Sequence, residues 1–215
     1  VIVLALDTAL NAATVAVIQG EDVLSRRVEI LERGHQERLA GLVRDAMRDA
    51  GVAFNRLDRI GVTIGPGSFT GVRVGLAFAK GLALALGIPC VGVGTLAALA
   101  GSADPADGVV AAAIDGRRGQ VYLQIFAGGA PLLAPTALSY ADAKAEIATG
   151  GVDQLLWVGS TPAPAFEGLR VDRLDHPDPI AVARWAAAAT QPIAPPAPLY
   201  LRAPDAKTIA ERAAG

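Results

Sequence analysis

Two aspartates, each closing an apolar run and followed by a short polar turn, are the first residues here that could do chemistry. Asp7 ends VIVLALD ahead of Thr8 and a turn to Asn11, and Asp115 ends VVAAAID ahead of Gly116, Arg117 and Arg118. A carboxylate at the end of a buried strand can hold a metal–phosphate, with turn N–H groups facing the phosphate. Two such units set face to face would clamp a nucleotide. A structural reading fits the same residues, because Asp commonly accepts hydrogen bonds from the backbone of its own turn. Asp115 reads equally well as an exposed hairpin tip.

The second candidate is IGPGSFTGVRVG over 64–75. Gly65 and Gly67 permit backbone conformations that other residues avoid, and Pro66 stiffens the loop. Ser68 or Thr70 can cap the helix that follows, whose first N–H groups suit an anion. The loop lacks the Gly-Lys-Ser/Thr of a P-loop, and Lys80 lies far down the helix. A tight strand-to-helix turn that needs small residues for packing explains the loop as well.

Other catalytic chemistry finds few residues. The single cysteine, Cys90, excludes a disulfide framework and a cysteine zinc cluster, and after Pro89 in an apolar run it reads as a small hydrophobe. His35 and His176 lie far apart and lack the spacing of a helical metal pair. Neither has the neighbours of a general base. No Ser–His–Asp or Cys–His set can be assembled.

The elements that must position these residues follow from the apolar pattern. VIVLALDT, ATVAVIQG and EDVLSRRVEI read as a three-strand meander, followed by a helix over 35–50 with Leu39, Leu42, Val43, Ala46 and Met47 on one face. DRIGVTIG is a strand, SFTGVRVGLAFAKGLALAL a long helix, IPCVGV a strand and TLAALA a helix. After 101–108 the pattern restarts: VVAAAIDGRRGQVYLQIFAGG repeats the strand–Asp–turn–strand order of VIVLALDTALNAATVAVIQG. A repeat at half the chain length implies two like lobes, 1–103 and a shorter 104–202. A helix near 139–149, a strand QLLWVGS and a helix near 178–190 fill the second, and a polar tail over 203–215 reads as frayed. In the long helix Gly71, Gly75 and Ala79 form one small-residue row and Ala77, Gly81 and Ala85 another, so backbones can approach on two sides.

Composition narrows the function class. Of 215 residues 52% are hydrophobic and 19% charged, which excludes wholesale disorder. A net charge of −2 gives no electrostatic footprint for unaided nucleic-acid binding. VIVLALDTAL has no basic flank and meets Asp7 at once, so it is a poor signal peptide. The uncharged run 81–103 is long enough to span a bilayer, but Gly87, Pro89, Gly92 and Gly94 divide it into short elements. The expectation is a cytoplasmic globular chain.

Several stretches in order, LALDTALNAATVAVIQG, RGHQERLAGLV, IGPGSFTGVRVGLAFAKGLALALGIPCVGVGTLAALA, AAIDGRRGQVY and the closing PLYLR, resemble the bacterial TsaB (YeaZ) family. The resemblance implies an α/β fold of the actin/Hsp70/sugar-kinase (RNase H-like) kind, with duplicated lobes of mixed sheet flanked by helices. It also implies a non-catalytic scaffold subunit of the tRNA N6-threonylcarbamoyladenosine synthase. TsaB pairs with its catalytic paralogue TsaD, on which the ATPase TsaE assembles, and can self-associate without its partner; tRNA is met indirectly. TsaD-like sequences carry two metal-binding histidines just after the strand matching IPCVGV. Thr95 and Leu99 stand there in this chain, and neither replaces an imidazole.

The family's contact surface maps onto the helices at 35–50 and 69–86, and there onto Leu39, Leu42, Val43, Met47, Gly71, Val72, Gly75, Leu76 and Ala79. No cofactor is implied for the chain alone. ATP or ADP would bind weakly or at an interface shared with TsaD, near Asp7, Thr8, Gly65, Gly67, Ser68, Asp115 and Gly116. Two rival functions stay open. A stand-alone phosphotransferase of the same fold would need an acceptor-site base, and a metallopeptidase would need a bound metal.

Overall fold

The structure is a computed structural model and describes residues 1–31, 34–103, 108–149, 154–164, 169–190 and 193–202. The opening meander forms β1 (Ile2–Asp7), β2 (Ala12–Gln19) and β3 (Asp22–Ile30), paired antiparallel. β4 (Arg59–Thr63) and β5 (Cys90–Val93) join in parallel on the other side of β1, giving the order β3-β2-β1-β4-β5. Helix α1 (His35–Ala50) stops at Gly51, which takes the left-handed φ of 64° and turns its N–H back onto the Arg48 and Met47 carbonyls. Helix α2 (Phe69–Leu86) starts at Ser68, whose Oγ accepts from the Gly71 N–H at 3.2 Å.

β1 lacks the polar alternation of a half-exposed strand because both its faces are covered. Leu4 and Leu6 pack with Leu39, Val43, Leu76 and Ala79 of α1 and α2. Val3 and Ala5 pack with Val182, Ala183 and Ala186. These last belong to α5 (Pro179–Ala188), which follows the second sheet in sequence yet lies on the first. Its start is capped by the Asp178 carboxylate, which accepts from the Ile180 N–H at 2.9 Å. Its end is held by Arg59 of β4, whose Nη1 lies 2.9, 3.2 and 2.8 Å from the carbonyls of Ala186, Ala187 and Ala189.

The second sheet repeats the first. β6 (Val109–Arg117) is its centre, β7 (Gln120–Ala127) and β8 (Ala130–Ser139) follow antiparallel on one side, and β9 (Leu155–Gly159) and β10 (Leu169–Asp172) pair in parallel on the other. The resulting order, β10-β9-β6-β7-β8, matches the first sheet strand for strand, so the sequence repeat is a repeat of topology. Helix α3 (Thr95–Ala100) is shared between the halves: Leu96 and Leu99 pack on the second sheet, and Ala98 packs with Val3 and Val182 on the first. Helix α4 (Tyr140–Thr149) covers the opposite face, with Ala143 and Ile147 against Leu123 and Trp157.

Three elements escape the sequence pattern: β8, β10 and a 3-10 turn at Phe54–Arg56. Pro131 and Pro135 argue against a strand at 130–139, but β8 is a sheet edge, where a missing N–H need not break the ladder. The uncharged 81–103 stretch is the end of α2, then β5, then α3. The tail at 203–215 lies outside the described residues.

Candidate functional site

The turn after β1 and the Gly65–Ser68 loop meet at the ends of the central strands. Ser68 donates its N–H to the Ala9 carbonyl at 2.7 Å, and Thr8 Oγ1 donates to the Gly71 carbonyl at 2.7 Å. This contact leaves no room for side chains on that face of α2. A Cβ on Gly67 would lie 2.4 Å from the Ala9 oxygen, and one on Gly71 would lie 2.0 Å from the Thr8 oxygen. Gly65, at φ 106°, accepts from the Thr95 N–H at 2.8 Å, and the Leu199 N–H donates to the Ile64 carbonyl at 2.7 Å. The loop is therefore clamped by the β1–β2 turn, by α3 and by the returning C-terminal segment. Three donors of the loop and first helical turn are spent within the chain: Ser68 N–H on Ala9, Gly71 N–H on Ser68 Oγ, and Val72 N–H on the Ser68 carbonyl. As a packing turn the loop is complete.

Asp7 and Asp115, equivalent in topology, are opposite in environment. Asp7 is fully buried, and its Oδ1 accepts from Thr63 Oγ1 at 2.5 Å and from the Ala9 N–H at 3.0 Å. Its Oδ2 has no hydrogen-bond partner. Burial pushes the carboxyl above its ordinary range, against the Thr63 and Ala9 hydrogen bonds and the fields of His176 and His35. His35 Nε2 donates to the Leu10 carbonyl, in the turn after β1, at 3.1 Å. Asp115 is exposed, accepts from the Arg117 N–H at 2.8 Å and lies 3.9 Å from the Arg117 guanidinium. It is the hairpin-tip aspartate, with Gly116 tucked against the Gln120 backbone. Asp7 and Asp115 share no partner among the described residues.

The helix residues read as partner-facing are corrected by the packing. Leu39, Leu42, Val43, Met47, Val72, Leu76 and Ala79 are buried in the core of the first sheet, where their spacing faces their own strands. Gly71 and Gly75 are buried on Thr8, as the first small-residue row. The second row, Ala77, Gly81 and Ala85, is exposed, and a Cβ on Gly81 would meet nothing within 4 Å. Leu84 on the same outer side is 85% exposed. Thr95 and Leu99 are both fully buried, Leu99 in the apolar cluster that includes Leu96 and Val110.

One cluster was missed from sequence. Phe69 at the start of α2 stacks on Tyr200 with ring centroids 5.7 Å apart. The Arg73 guanidinium lies 3.7 Å over the Phe69 ring, and its Nε donates to Tyr200 Oη at 2.9 Å. The signal was the i, i+4 step from 69 to 73, on the face that the small-residue rows left unassigned.

Comparison with known proteins gives this geometry a family. Residues 27–154 match the family model of TsaD, tRNA N6-adenosine threonylcarbamoyltransferase. YeaZ from Pseudomonas aeruginosa is 32% identical and superposes with a TM-score of 0.70 over 87% of this chain and 92% of its own. The chain belongs to the TsaB (YeaZ) family. A second Pseudomonas aeruginosa structure, an uncharacterized protein with similarity to peptidase YeaZ, superposes with a TM-score of 0.80 at 30% identity, over 94% of this chain and 99% of that one. Escherichia coli TsaB, a tRNA threonylcarbamoyladenosine biosynthesis protein, is 38% identical over 122 residues. That match takes in 56% of this chain and 52% of the relative, so it spans about half the length of that TsaB protein. The fold of two sheets with one repeated strand order is thus shared with the YeaZ structures.

Proposed function

We propose that this chain is a non-catalytic scaffold and activator subunit in tRNA N6-threonylcarbamoyladenosine synthesis, working in the cytoplasm and pairing with TsaD. The observation that carries the reading is the state of Thr95 and Leu99. At the positions where the catalytic paralogue has histidines, a threonine and a leucine lie fully buried, and the leucine is part of an apolar core. Apolar surroundings offer a metal no donor. The internally bonded Gly65–Ser68 loop supports the companion expectation that the chain alone requires no nucleotide, with ATP or ADP weakly held or shared with TsaD.

The partner surface in this reading is the outer side of the same two helices, not the buried faces. Ala77, Gly81 and Ala85 let a helix approach closely, and exposed Leu84 offers an anchor beside them. This face would also serve self-association when TsaD is absent, and TsaE would assemble on the heterodimer. Leu84→Asp is expected to leave the fold intact and to abolish co-elution with TsaD. An unchanged elution volume of the mixture refutes the surface. The function is tested by reconstitution with TsaC, TsaD, TsaE, ATP, threonine, bicarbonate and unmodified tRNA, scored by mass spectrometry of the modified nucleoside. Product only when this chain is present supports the reading; equal product without it overturns the reading.

A further inference from the structure

Helix α2 is apolar along its length, yet only six of its eighteen residues are buried. The first sheet takes its inner side, and Arg73, Ala77, Lys80, Gly81, Leu84 and Ala85 form an exposed stripe on the outer side. The second half of that stripe, Lys80, Gly81 and Leu84, is one wall of a groove of about 450 Å³. Ile88 and Cys90 continue the lining, and Pro196 stands opposite. This opposite wall is fixed in place. The Leu199 N–H donates to the Ile64 carbonyl at 2.7 Å, and Pro196 lies so close over β5 that a Cβ on Gly92 would fall 2.9 Å from it. Prolines at 195, 196 and 198 stiffen the segment further. The groove is therefore formed before any partner arrives, which lowers the cost of binding. Burial pushes the Cys90 thiol up to about 11, against the field of Lys80, so at neutral pH it lines the groove as a small hydrophobe.

Charge decides what fits there. Lys80 is exposed at the lip of the groove, with its Nζ 3.4 Å from the Pro196 carbonyl, and among the described residues no carboxylate pairs with it. Helix α2 carries two cations, Arg73 and Lys80, and no acid. A second copy docked through the same stripe would bring cation toward cation, whereas a different chain can supply the carboxylate. We infer that the groove receives a large apolar side chain from a helix of TsaD, with a carboxylate on that helix pairing with Lys80. The inference rests on the proposed pairing with TsaD and deepens it, because the partner face becomes α2 together with the proline segment rather than α2 alone. Gly81, with open space where a Cβ would stand, lets the incoming backbone come close. The parts divide the work in the usual way of interfaces. An apolar anchor buried in a pocket supplies most of the affinity, and a charge at the rim selects the partner.

The test uses Cys90 as a reporter inside the groove, since it is the single cysteine of the chain. The full chain is treated with a small maleimide, alone and with saturating TsaD, and the label on this chain is followed by mass spectrometry. TsaD is expected to slow the labelling of Cys90 several-fold. In titration calorimetry Lys80→Glu should weaken TsaD binding roughly ten-fold, and Lys80→Arg should keep it. Thermal melts confirm that each variant is folded. The inference is overturned if Cys90 is labelled as fast in the complex as in the free chain, because the groove is then open. It is also overturned if Lys80→Glu binds TsaD as tightly as the unsubstituted chain. Protection of Cys90 that rises with the concentration of this chain alone makes a second copy the occupant and overturns it as well. Leu84→Asp separates the groove from the surface it belongs to. Loss of co-elution in that variant, with Cys90 open in the unsubstituted complex, keeps the surface and rejects the groove. Unchanged co-elution with Cys90 open, or no binding of TsaD at all, rejects both.

Discussion

One substitution made at two positions of α2 should have opposite effects. At Gly71 a Cβ would lie 2.0 Å from the Thr8 carbonyl oxygen, where ordinary van der Waals contact begins at 3.4 Å. The obstacle is backbone, held in a turn whose Thr8 hydroxyl is itself bonded to Gly71, so it cannot rotate aside. Either α2 retreats from the sheet or the β1–β2 turn deforms, and overpacking of this severity costs about 3 kcal/mol. The gain of about 1 kcal/mol for replacing a helical glycine by alanine offsets part of it. Gly71→Ala should therefore lose about 2 kcal/mol. Gly81→Ala meets nothing within 4 Å and keeps only the gain. For a chain of this size the two changes correspond to a Tm lower by about 4–8 °C and higher by about 2–4 °C. Circular-dichroism melts of the two variants beside the unsubstituted chain read the difference directly. If Gly71→Ala melts at or above the unsubstituted chain, the close packing of α2 on the Thr8 turn is refuted. If both variants shift the same way, the assignment of the two rows to inner and outer faces fails.

Two further outcomes follow from the buried polar groups. Burial raises the Asp7 pKa above the unfolded value of 3.8, so the folded state holds its proton longer. Stability is full below the unfolded value, falls as pH rises through the interval up to the folded value, and stays reduced above it. Asp7→Asn removes this loss, so its advantage over the unsubstituted chain in urea midpoint should be greater at pH 8 than at pH 4; an equal difference at both refutes the reasoning. Arg59→Ala strips the cap from the end of α5 and should cost about 2 kcal/mol, with Arg59→Lys recovering part of it. A urea midpoint for Arg59→Ala equal to that of the unsubstituted chain would show that the three carbonyls are satisfied without it.

Much of the fold is written in apolar spacing that has a single physical solution. The repeat of VIVLALD in VVAAAID specifies two central strands, and both sheets build the same order around them. β8 was hidden because proline reads as a strand breaker until its place at the edge is known. The position of α5 was hidden for another reason: its alanine-rich face, Ala183 and Ala186, packs as well on one sheet as on another. The site was harder to read than the fold. Asp7 and Asp115 occupy equivalent places in sequence, yet one is buried beside Thr63 of β4 and the other is exposed at a hairpin tip, a difference that the local pattern does not carry. In the helices the same i, i+3, i+4 pattern marks an apolar face without saying whether a sheet or a partner covers it. Leu42 and Met47 proved to face the sheet, so a carboxylate placed there would be buried without a partner.

The return of α5 to the first sheet has a consequence for how the chain is made. When residue 103 leaves the ribosome, every strand of that sheet has been synthesised, but the face bearing Val3, Ala5, Ile18 and Val91 has only Ala98 of α3 against it. The helix that seals it ends at Ala188, about 85 residues later, which at 5–20 residues per second is a wait of about 4–17 s. For that interval the nascent chain carries an apolar surface that α5 goes on to cover. The first sheet therefore gets its second cover only after the strands of the other sheet have been made, so its folding waits on α5.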